Sequence, residues 1–339
     1  MAATPTPKPS RRSSLDLVIV LVLILVLVGV TLVSGRARRQ AGSAAPAALT
    51  AVAQPDVQRL VLPEQVGYRE LAAFAFPDKI RAVAVGPDDH LFVSTGFFIV
   101  ELGADGTEVR RFELQTAAGC LAVVGDLAYL GCGDHLELLA LADGKITAWP
   151  SVGADAFLVS VAVSRDLVIA GDAGRRRFVR WRLDGTSLPE ITPPAPPTDK
   201  GVSASVPTTY FDLAADPDGT FWATDVGSFG VVHFDGEGRH LGRFGKGSAA
   251  IEDFGSCCNP AQIALAPGGL LVTVEKKPDL VKTYRRDGTF ASVVAGPKAF
   301  QDKTFVPDVA ADAKGRIVLV DPKAKSLRRF EPKTEAPAP

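Results

Sequence analysis

Pairs of aspartate and glycine recur through the body of this chain at intervals of 38, 41, 51 and 52 residues. Each pair lies between two short apolar runs. The pairs are Asp105-Gly106, Asp143-Gly144, Asp184-Gly185, Asp235-Gly236 and Asp287-Gly288. An Asp-Gly pair favours a tight hairpin, because glycine adopts a positive φ without steric cost. The chain is therefore predicted to be built from repeated β-hairpins, which restricts it to repeat architectures.

A further apolar segment precedes each hairpin and is expected to form another strand. These segments are Ala82–Val85, Leu121–Val124, Ser160–Val163, Asp212–Ala215, Gln262–Leu265 and Asp308–Ala311. Most of these segments are followed by a Gly, Pro or Asp turn and then by another strand, which gives four short strands in a copy. Six such copies, spaced by roughly 40–50 residues, are typical of a β-propeller. Alanine recurs in five of the segments, which suits innermost strands that crowd around an axis. These alanines are Ala84, Ala162, Ala214, Ala264 and Ala310.

The sixth copy ends at Phe330 after three strands, so its outer strand has to come from elsewhere. Either residues 57–62 or residues 68–74 can supply it and close the ring by pairing the two ends of the chain, which removes an exposed edge. The sequence thus predicts an all-β, six-bladed propeller over residues 56–332. Residues 333–339 are predicted to be a disordered tail.

An apolar run precedes the repeats. Residues 17–33 carry no charge over 17 positions, and a helix of that length spans roughly 26 Å, near the lower limit for crossing a bilayer. Arg36 follows closely, and small-residue cleavage motifs lie only beyond the next charges. We expect an uncleaved single transmembrane helix at 17–33, with a long cleaved signal sequence as the alternative.

The segments that flank this run set the expected topology. Residues 1–16 are predicted to be a cytoplasmic tail, and residues 34–55, rich in Ala, Gly and Pro, a flexible stalk. The propeller would then be extracytoplasmic, in the periplasm or at the cell exterior. Residues 51–339 hold 31 basic and 37 acidic side chains. A nucleic-acid partner is not expected, because such a partner requires a basic surface.

Three copies carry a recurring strand pair. Residues 168–172 followed by residues 177–181 recur as 220–225 with 231–236, and as 317–321 with 327–330. This pattern resembles the NHL-repeat family of β-propellers. The resemblance implies the six-bladed fold but not one activity, since the family includes protein-binding and ligand-binding scaffolds together with a few hydrolases and lyases.

Two acids hold equivalent positions at the start of predicted innermost strands. Asp212 and Asp308 share this position with Gln262, and the alignment places them at one end of the central channel. One interpretation is a polar or cation-binding mouth that takes a small ligand or a divalent cation. The other is a pair of solvated aspartates that cap turns. No cofactor and no metal ligand is predicted outright.

Adjacent cysteines form the most unusual local sequence. Cys257 and Cys258 lead into the fifth innermost strand, and aligning Val123 with Ala264 puts Cys120 opposite Ala261. An exported domain permits disulfides. Cys120 and Cys132 would face each other across a three-residue turn and lie on opposite faces after a two-residue turn. Cys257 and Cys258 could form a vicinal bond, pair elsewhere, remain thiols, or bind a ligand.

The predicted function is a membrane-anchored, extracytoplasmic propeller that acts as a binding or assembly module without catalysis. Its partner would be a protein or a small molecule at the axial face, near Asp212, Asp308, Cys257 and Cys258, and no catalytic residue is assigned. The alternative is an enzyme, either a lactonase-like hydrolase that uses a divalent cation or a redox protein that uses Cys257 and Cys258.

Overall fold

The computed structural model describes residues 60–192, 211–255, 259–276, 279–300 and 308–333. The chain divides into two units, Met1–Ala53 and Gln54–Pro339, and every described residue belongs to the second. The predicted cytoplasmic tail, transmembrane helix and stalk lie outside the described residues, as does the C-terminal tail from residue 334. No helix in the described part of the chain is long and apolar enough to cross a membrane.

The described residues form six antiparallel sheets, which are the blades of the propeller. In blades 1 to 5 the strands follow one another in chain order from the innermost to the outermost. Blade 1 contains β3 (Ala82–Val85), β4 (Leu91–Ser94), β5 (Phe98–Leu102) and β6 (Glu108–Glu113). Blade 2 contains β7 (Cys120–Val124), β8 (Leu127–Cys132), β9 (His135–Ala140) and β10 (Ile146–Ala148). Blade 3 contains β11 (Leu158–Val163), β12 (Leu167–Asp172), β13 (Arg177–Arg182) and β14 (Ser187–Ile191).

The remaining blades follow the same plan. Blade 4 contains β15 (Leu213–Ala215), β16 (Phe221–Asp225), β17 (Gly230–Phe234) and β18 (His240–Phe244). Blade 5 contains β19 (Gln262–Ala266), β20 (Leu270–Glu275), β21 (Leu280–Arg285) and β22 (Phe290–Ala295). Blade 6 contains β23 (Val309–Ala311), β24 (Ile317–Asp321) and β25 (Ser326–Pro332). Short 3₁₀ turns begin at prolines, at Pro63–Gln65, Pro87–Asp89, Pro267–Gly269 and Pro297–Ala299.

The N-terminal end of the described chain completes blade 6. Strands β1 (Tyr68–Glu70) and β2 (Phe74–Ala75) both pair antiparallel with β25, which gives this blade its outer position. Of the two segments that the sequence offered for this role, residues 68–74 are therefore the correct one. The first and last parts of the propeller share one sheet, so the ring cannot open without breaking that pairing.

The six innermost strands stand side by side around one axis, and β23 contacts β3 to close the circle. The prediction of six blades is confirmed. Each innermost strand carries an alanine at an equivalent position of the blade, and none of these side chains extends beyond Cβ, so neighbouring strands can approach closely. The alanines are Ala84, Ala122, Ala162, Ala214, Ala264 and Ala310, which adds Ala122 to the predicted set.

The Asp-Gly turns form inter-blade contacts. In five blades the turn between the third and fourth strands contains a glycine with positive φ, and an apolar side chain from the outer part of the preceding blade lies against it. The contacts are Phe74 on Gly106, Phe112 on Gly144, Trp149 on Gly185, Ile191 on Gly238 and Phe244 on Gly288. In the fourth blade the positive-φ residue is thus Gly238 and not the predicted Gly236.

This contact explains why glycine recurs in the sequence. A Cβ atom at Gly288 would lie 2.4 Å from the Cβ of Phe244, and the φ of Gly288 is +85°. The turn needs glycine both for its backbone conformation and for the space that the neighbouring ring occupies. The repeat therefore records how successive blades pack, in addition to where each hairpin turns.

The ring has two ends. We call the end at which all six innermost strands begin the top face; it also carries the turns between the second and third strands of each blade. The bottom face carries the turns between the first and second strands and the Asp-Gly turns. These names locate the groups described below.

Candidate functional site

Six residues, one at or near the start of each innermost strand, form a ring at the top of the axis. Pairing between the first and second strands aligns one residue from each blade, immediately before an apolar residue and the repeated alanine. In blade order the six residues are Ala82, Cys120, Ser160, Asp212, Gln262 and Asp308. Asp212 and Asp308 thus lie at the same end of the ring, two blades apart, with Gln262 between them.

Asp212 links three successive blades. Its Oδ1 accepts a hydrogen bond from Ser160 Oγ of blade 3 at 2.6 Å and from the Leu213 N–H at 2.9 Å. Its Oδ2 accepts a hydrogen bond from the Ile263 N–H of blade 5 at 2.7 Å. The innermost strand of a blade has no strand on its axial side, so its axis-facing N–H groups need another acceptor. The carboxylate of Asp212 supplies that acceptor to blades 4 and 5.

Asp308 repeats the arrangement at the seam that closes the ring. Its Oδ1 accepts a hydrogen bond from the Val309 N–H at 2.9 Å, and its Oδ2 accepts one from the Val83 N–H of blade 1 at 2.8 Å. Val83 holds the same position in blade 1 as Ile263 holds in blade 5. Each acid therefore bridges its own blade to the next one.

The two carboxylates have perturbed acidities. Burial raises the pKa of Asp212 to about 6, although its hydrogen bonds favour the charged form. Burial also raises the pKa of Asp308 to about 7, and repulsion from the Asp212 charge adds to the effect. Burial and then the charges of both acids raise the pKa of the Cys120 thiol. The mutual influence fits three groups gathered around one end of the axis.

This arrangement determines what the two acids can do. Both oxygens of each carboxylate already accept hydrogen bonds from N–H or O–H donors, so the acids serve first to hold blades together. Among the described residues, no three histidine, cysteine or acidic side chains form a group that could hold a metal ion. The inter-blade bridges combine the two interpretations of the sequence: the acids lie at a polar axial mouth, and they cap backbone groups there.

The cysteine predictions have separate outcomes. Cys257 and Cys258 lie outside the described residues. Cys120 and Cys132 are free, buried thiols. The hairpin between them turns at two residues, with Val124 paired to Leu127. Of the two alternatives, the two-residue turn is therefore the correct one: the two side chains lie on opposite faces of blade 2 and form no disulfide.

The alignment of Cys120 was also wrong by one residue. Cys120 pairs with Gly131, as Gln262 pairs with Val274, so Cys120 is equivalent to Gln262 and not to Ala261. Gly131 leaves the room that the thiol occupies, since a Cβ atom there would lie 2.3 Å from Cys120 Sγ.

A buried ion pair beside the axial ring escaped the sequence analysis. Lys282 Nζ lies 2.7 Å from Glu275 Oε1, and both side chains are almost completely buried in blade 5. Lys282 also donates to the carbonyls of Ile251 and Asp253, at 2.9 and 2.7 Å, and Glu275 Oε2 accepts the Gly255 N–H at 2.8 Å. The pair ties the loop before β19 to its blade. The one signal in the sequence is a lysine inside an otherwise strand-like run.

Comparisons with known proteins identify the fold. No protein family and no curated protein matches the sequence. A streptogramin B lyase structure is similar at a TM-score of 0.54 and 13% identity, over 78% of this chain and 98% of that one. A Bacteroides thetaiotaomicron protein of unknown function has a TM-score of 0.55 and 16% identity, over 80% and 74%. The WD40 propeller domain of Doa1 has a TM-score of 0.54 and 12% identity, over 79% and 98%. At these identities the likeness shows the propeller fold alone.

Proposed function

We propose that this chain is a single-pass membrane protein whose propeller lies outside the cytoplasm and acts as a non-catalytic binding module. The partner is a protein or a small ligand that contacts the axial top face. The NHL-like strand pairs support this assignment, because that family includes many binding scaffolds. The fold alone leaves the role open, since the similar structures include both a lyase and a WD40 domain.

The observation that carries the non-catalytic role is the bonding of the two axial acids. A catalytic carboxylate needs an oxygen atom free to meet substrate, metal or water. In Asp212 and Asp308 both oxygens already accept hydrogen bonds, from donors of the acid's own blade and of neighbouring blades. Disrupting these bonds to perform chemistry would loosen the ring at three seams, one of which is the closing seam between blades 6 and 1.

Metal analysis of the purified full-length protein tests this role. We expect no stoichiometric divalent cation, and no change in thermal stability when calcium or magnesium is added. Ser160→Ala is a matched control, because it removes an axial hydrogen-bond donor and leaves both carboxylates in place. A stoichiometric cation that is lost in both Asp212→Ala and Asp308→Ala but retained in Ser160→Ala would refute the non-catalytic assignment.

The anchor has its own support and its own test. The uncharged run at 17–33 is long enough to span a bilayer, and the charges that follow it disfavour cleavage. We expect the full-length protein to stay with membranes after an alkaline carbonate wash. Protease added to intact cells, after the outer barrier is opened where there is one, should digest the propeller. Release by carbonate would contradict the anchor, and protection from the protease would contradict the orientation.

An enzyme is the second candidate function. The pKa values near neutrality that Asp212 and Asp308 acquire are what a general acid or base requires. A lactonase-like hydrolase would use these acids with a divalent cation, whereas a redox protein would use Cys257 and Cys258. Changing both of these cysteines to serine separates the two versions, because only the redox version would lose a thiol–disulfide activity.

A further inference from the structure

The top face of blades 1 and 3 exposes two phenylalanines that the fold does not need. The side chains of Phe97 and Phe157 are 53% and 50% exposed, whereas the large apolar side chains of the core are buried. Both backbones are fixed: the carbonyl of Phe97 accepts the Leu114 N–H at 2.8 Å, and that of Phe157 accepts the Ala173 N–H at 2.9 Å. Half-exposed aromatic rings on a hydrogen-bonded backbone are characteristic of contact surfaces.

A buried acid positions one of these rings beside two arginines. Asp172 is fully buried, and its Oδ1 accepts the N–H groups of Phe157, Gly174 and Arg175 at 2.9, 3.1 and 3.2 Å. Arg175 and Arg176 occupy the turn that follows β12, and both are exposed. Arg176 has a φ of 55°, a left-handed conformation that is costly for a residue other than glycine. The turn therefore presents two cations next to Phe157.

Two arginines of the following strand, Arg177 and Arg180 of β13, have a different role. Arg177 Nε binds Asp172 Oδ2 at 2.9 Å, and Arg180 Nε donates to the carbonyl of Pro189 at 2.9 Å. Both side chains are buried. They stabilise blade 3, whereas Arg175 and Arg176 are exposed on the top face.

Exposed charges differ between the two ends of the ring. In the described top-face loops and turns of blades 6, 1, 2 and 3, the exposed bases are Lys79, Arg81, Arg175, Arg176, Lys323 and Lys325. The exposed acids in those segments are Asp78 and Asp155. In the bottom-face turns of the same blades the exposed acids are Asp88, Asp105, Asp126, Asp143, Asp166 and Asp184. The exposed bases there are Lys145, Arg165 and Lys314. In the described loops and turns of these four blades, exposed bases therefore predominate at the top face and exposed acids at the bottom face.

We propose that the top face of blades 6, 1, 2 and 3 docks on an anionic lipid surface. Phe97 and Phe157 enter the interface between the headgroups, and the exposed bases contact the lipid phosphates. The two rings project from separate blades of one face, an arrangement that suits a flat surface. The 26 residues from 34 to 59 extend to roughly 90 Å at most, so the face can reach the bilayer in which residues 17–33 are inserted. This proposal rests on the anchor proposed above.

Tryptophan substitutions test the docking in the full-length protein. Phe97→Trp and Phe157→Trp place a reporter on the top face, and Leu183→Trp places a matched one on the bottom face, where Leu183 is 43% exposed. Each variant is reconstituted into vesicles of phosphatidylcholine alone or mixed with phosphatidylglycerol, with brominated acyl chains as the quencher. We expect quenching of the two top-face reporters in the anionic vesicles only, and none of the bottom-face reporter.

A charge reversal gives a second readout. Adding Arg175→Glu and Arg176→Glu to Phe157→Trp should lower the equilibrium constant for docking by at least about tenfold, and high salt should have the same effect. Equal quenching of Phe157→Trp in neutral and anionic vesicles, or no effect of the reversal, would overturn the lipid docking. A change in the fluorescence of the top-face reporters when soluble polyglutamate is added, without quenching in anionic vesicles, would overturn it in favour of an acidic protein partner.

The carbonate wash separates this proposal from the anchor. Protein that resists the wash but shows no top-face quenching retains the anchor and loses the docking. Protein that washes off both kinds of vesicle would refute the anchor and also the docking, because the docking depends on the anchor.

Discussion

The two axial acids make the stability of the ring depend on pH. The pKa of Asp308 is about 7 in the folded protein and near 3.9 in an unfolded chain. Because the folded value is the higher one, the protonated acid favours the folded state. The stabilising effect is complete below about pH 4 and is lost as the pH rises towards 7. Asp212, with a folded pKa of about 6, acts in the same direction over a narrower range.

Asp308→Asn removes one of these titrations and allows its size to be measured. Between pH 5 and pH 8 the wild-type protein should lose about 3 kcal/mol of unfolding free energy through Asp308, as an upper figure, since Asp308 is partly exposed. The asparagine side chain does not ionise in this range. Its amide can accept only one of the two N–H groups, which costs about 1–3 kcal/mol relative to the wild type at pH 5. This cost does not change with pH, whereas the stability of the wild type falls as the pH rises. The variant should therefore be the less stable protein at pH 5 and should lose that disadvantage by pH 8.

Urea unfolding of the full-length protein in a non-ionic detergent, at pH values from 5 to 8, measures this effect. The three tryptophans Trp149, Trp181 and Trp222 are all buried and report the loss of the core by fluorescence. Asp126→Asn serves as a control, because Asp126 is exposed in the β7–β8 turn. If wild type and Asp308→Asn lose stability in parallel between pH 5 and pH 8, Asp308 does not titrate as the burial argument requires.

Other contacts yield further predictions. Gly288→Ala should destabilise the protein by about 2–4 kcal/mol in urea unfolding, because the new Cβ clashes with Phe244 and the backbone has a positive φ. Gly242→Ala should be close to neutral, because the space around Gly242 is open. Equal effects of the two substitutions would contradict the inter-blade contact. Lys282→Met should cost about 3–5 kcal/mol by removing the cation beside the buried Glu275 carboxylate, and adding Glu275→Gln should recover part of the loss; a double variant less stable than the single one would contradict this. The two free thiols of blade 2 should react slowly with a thiol reagent at pH 8 until urea unfolds the protein, because burial raises the pKa of each; fast reaction in the native state would refute their burial.

The blade count and ring closure were predictable because both follow from local patterns. Apolar alternation, turn residues and the repeated alanine each recur in sequence, and a missing outer strand in the sixth copy has to be supplied by the other end of the chain. The order of the blades then fixes which residues begin the innermost strands. Asp212 and Asp308 could for this reason be placed at one end of the axis without a structure.

The failures have a physical cause as well. The loops that lead into the innermost strands differ in length, so nothing local shows which residue of Cys120-Leu121-Ala122 corresponds to Gln262. The contacts of Lys282 depend on a loop about 30 positions earlier in the chain. The hydrogen bonds that join Asp212 to the two neighbouring blades likewise connect residues about 50 positions apart. A pattern read along the chain cannot supply partners at that separation.

The negative net charge of the propeller acquires a structural explanation from these contacts. Asp105 accepts the N–H of Thr107 within its own turn, Asp172 organises the turn beside Phe157, and Asp308 bridges two blades. Many acids of this chain therefore satisfy backbone N–H groups, which a basic side chain could not do because it carries only donors. The excess of acids reflects the large number of turns and strand edges in a propeller. The excess of acids therefore does not identify a binding surface. The bases exposed together on the top face are different, because the backbone N–H groups of the fold do not require them.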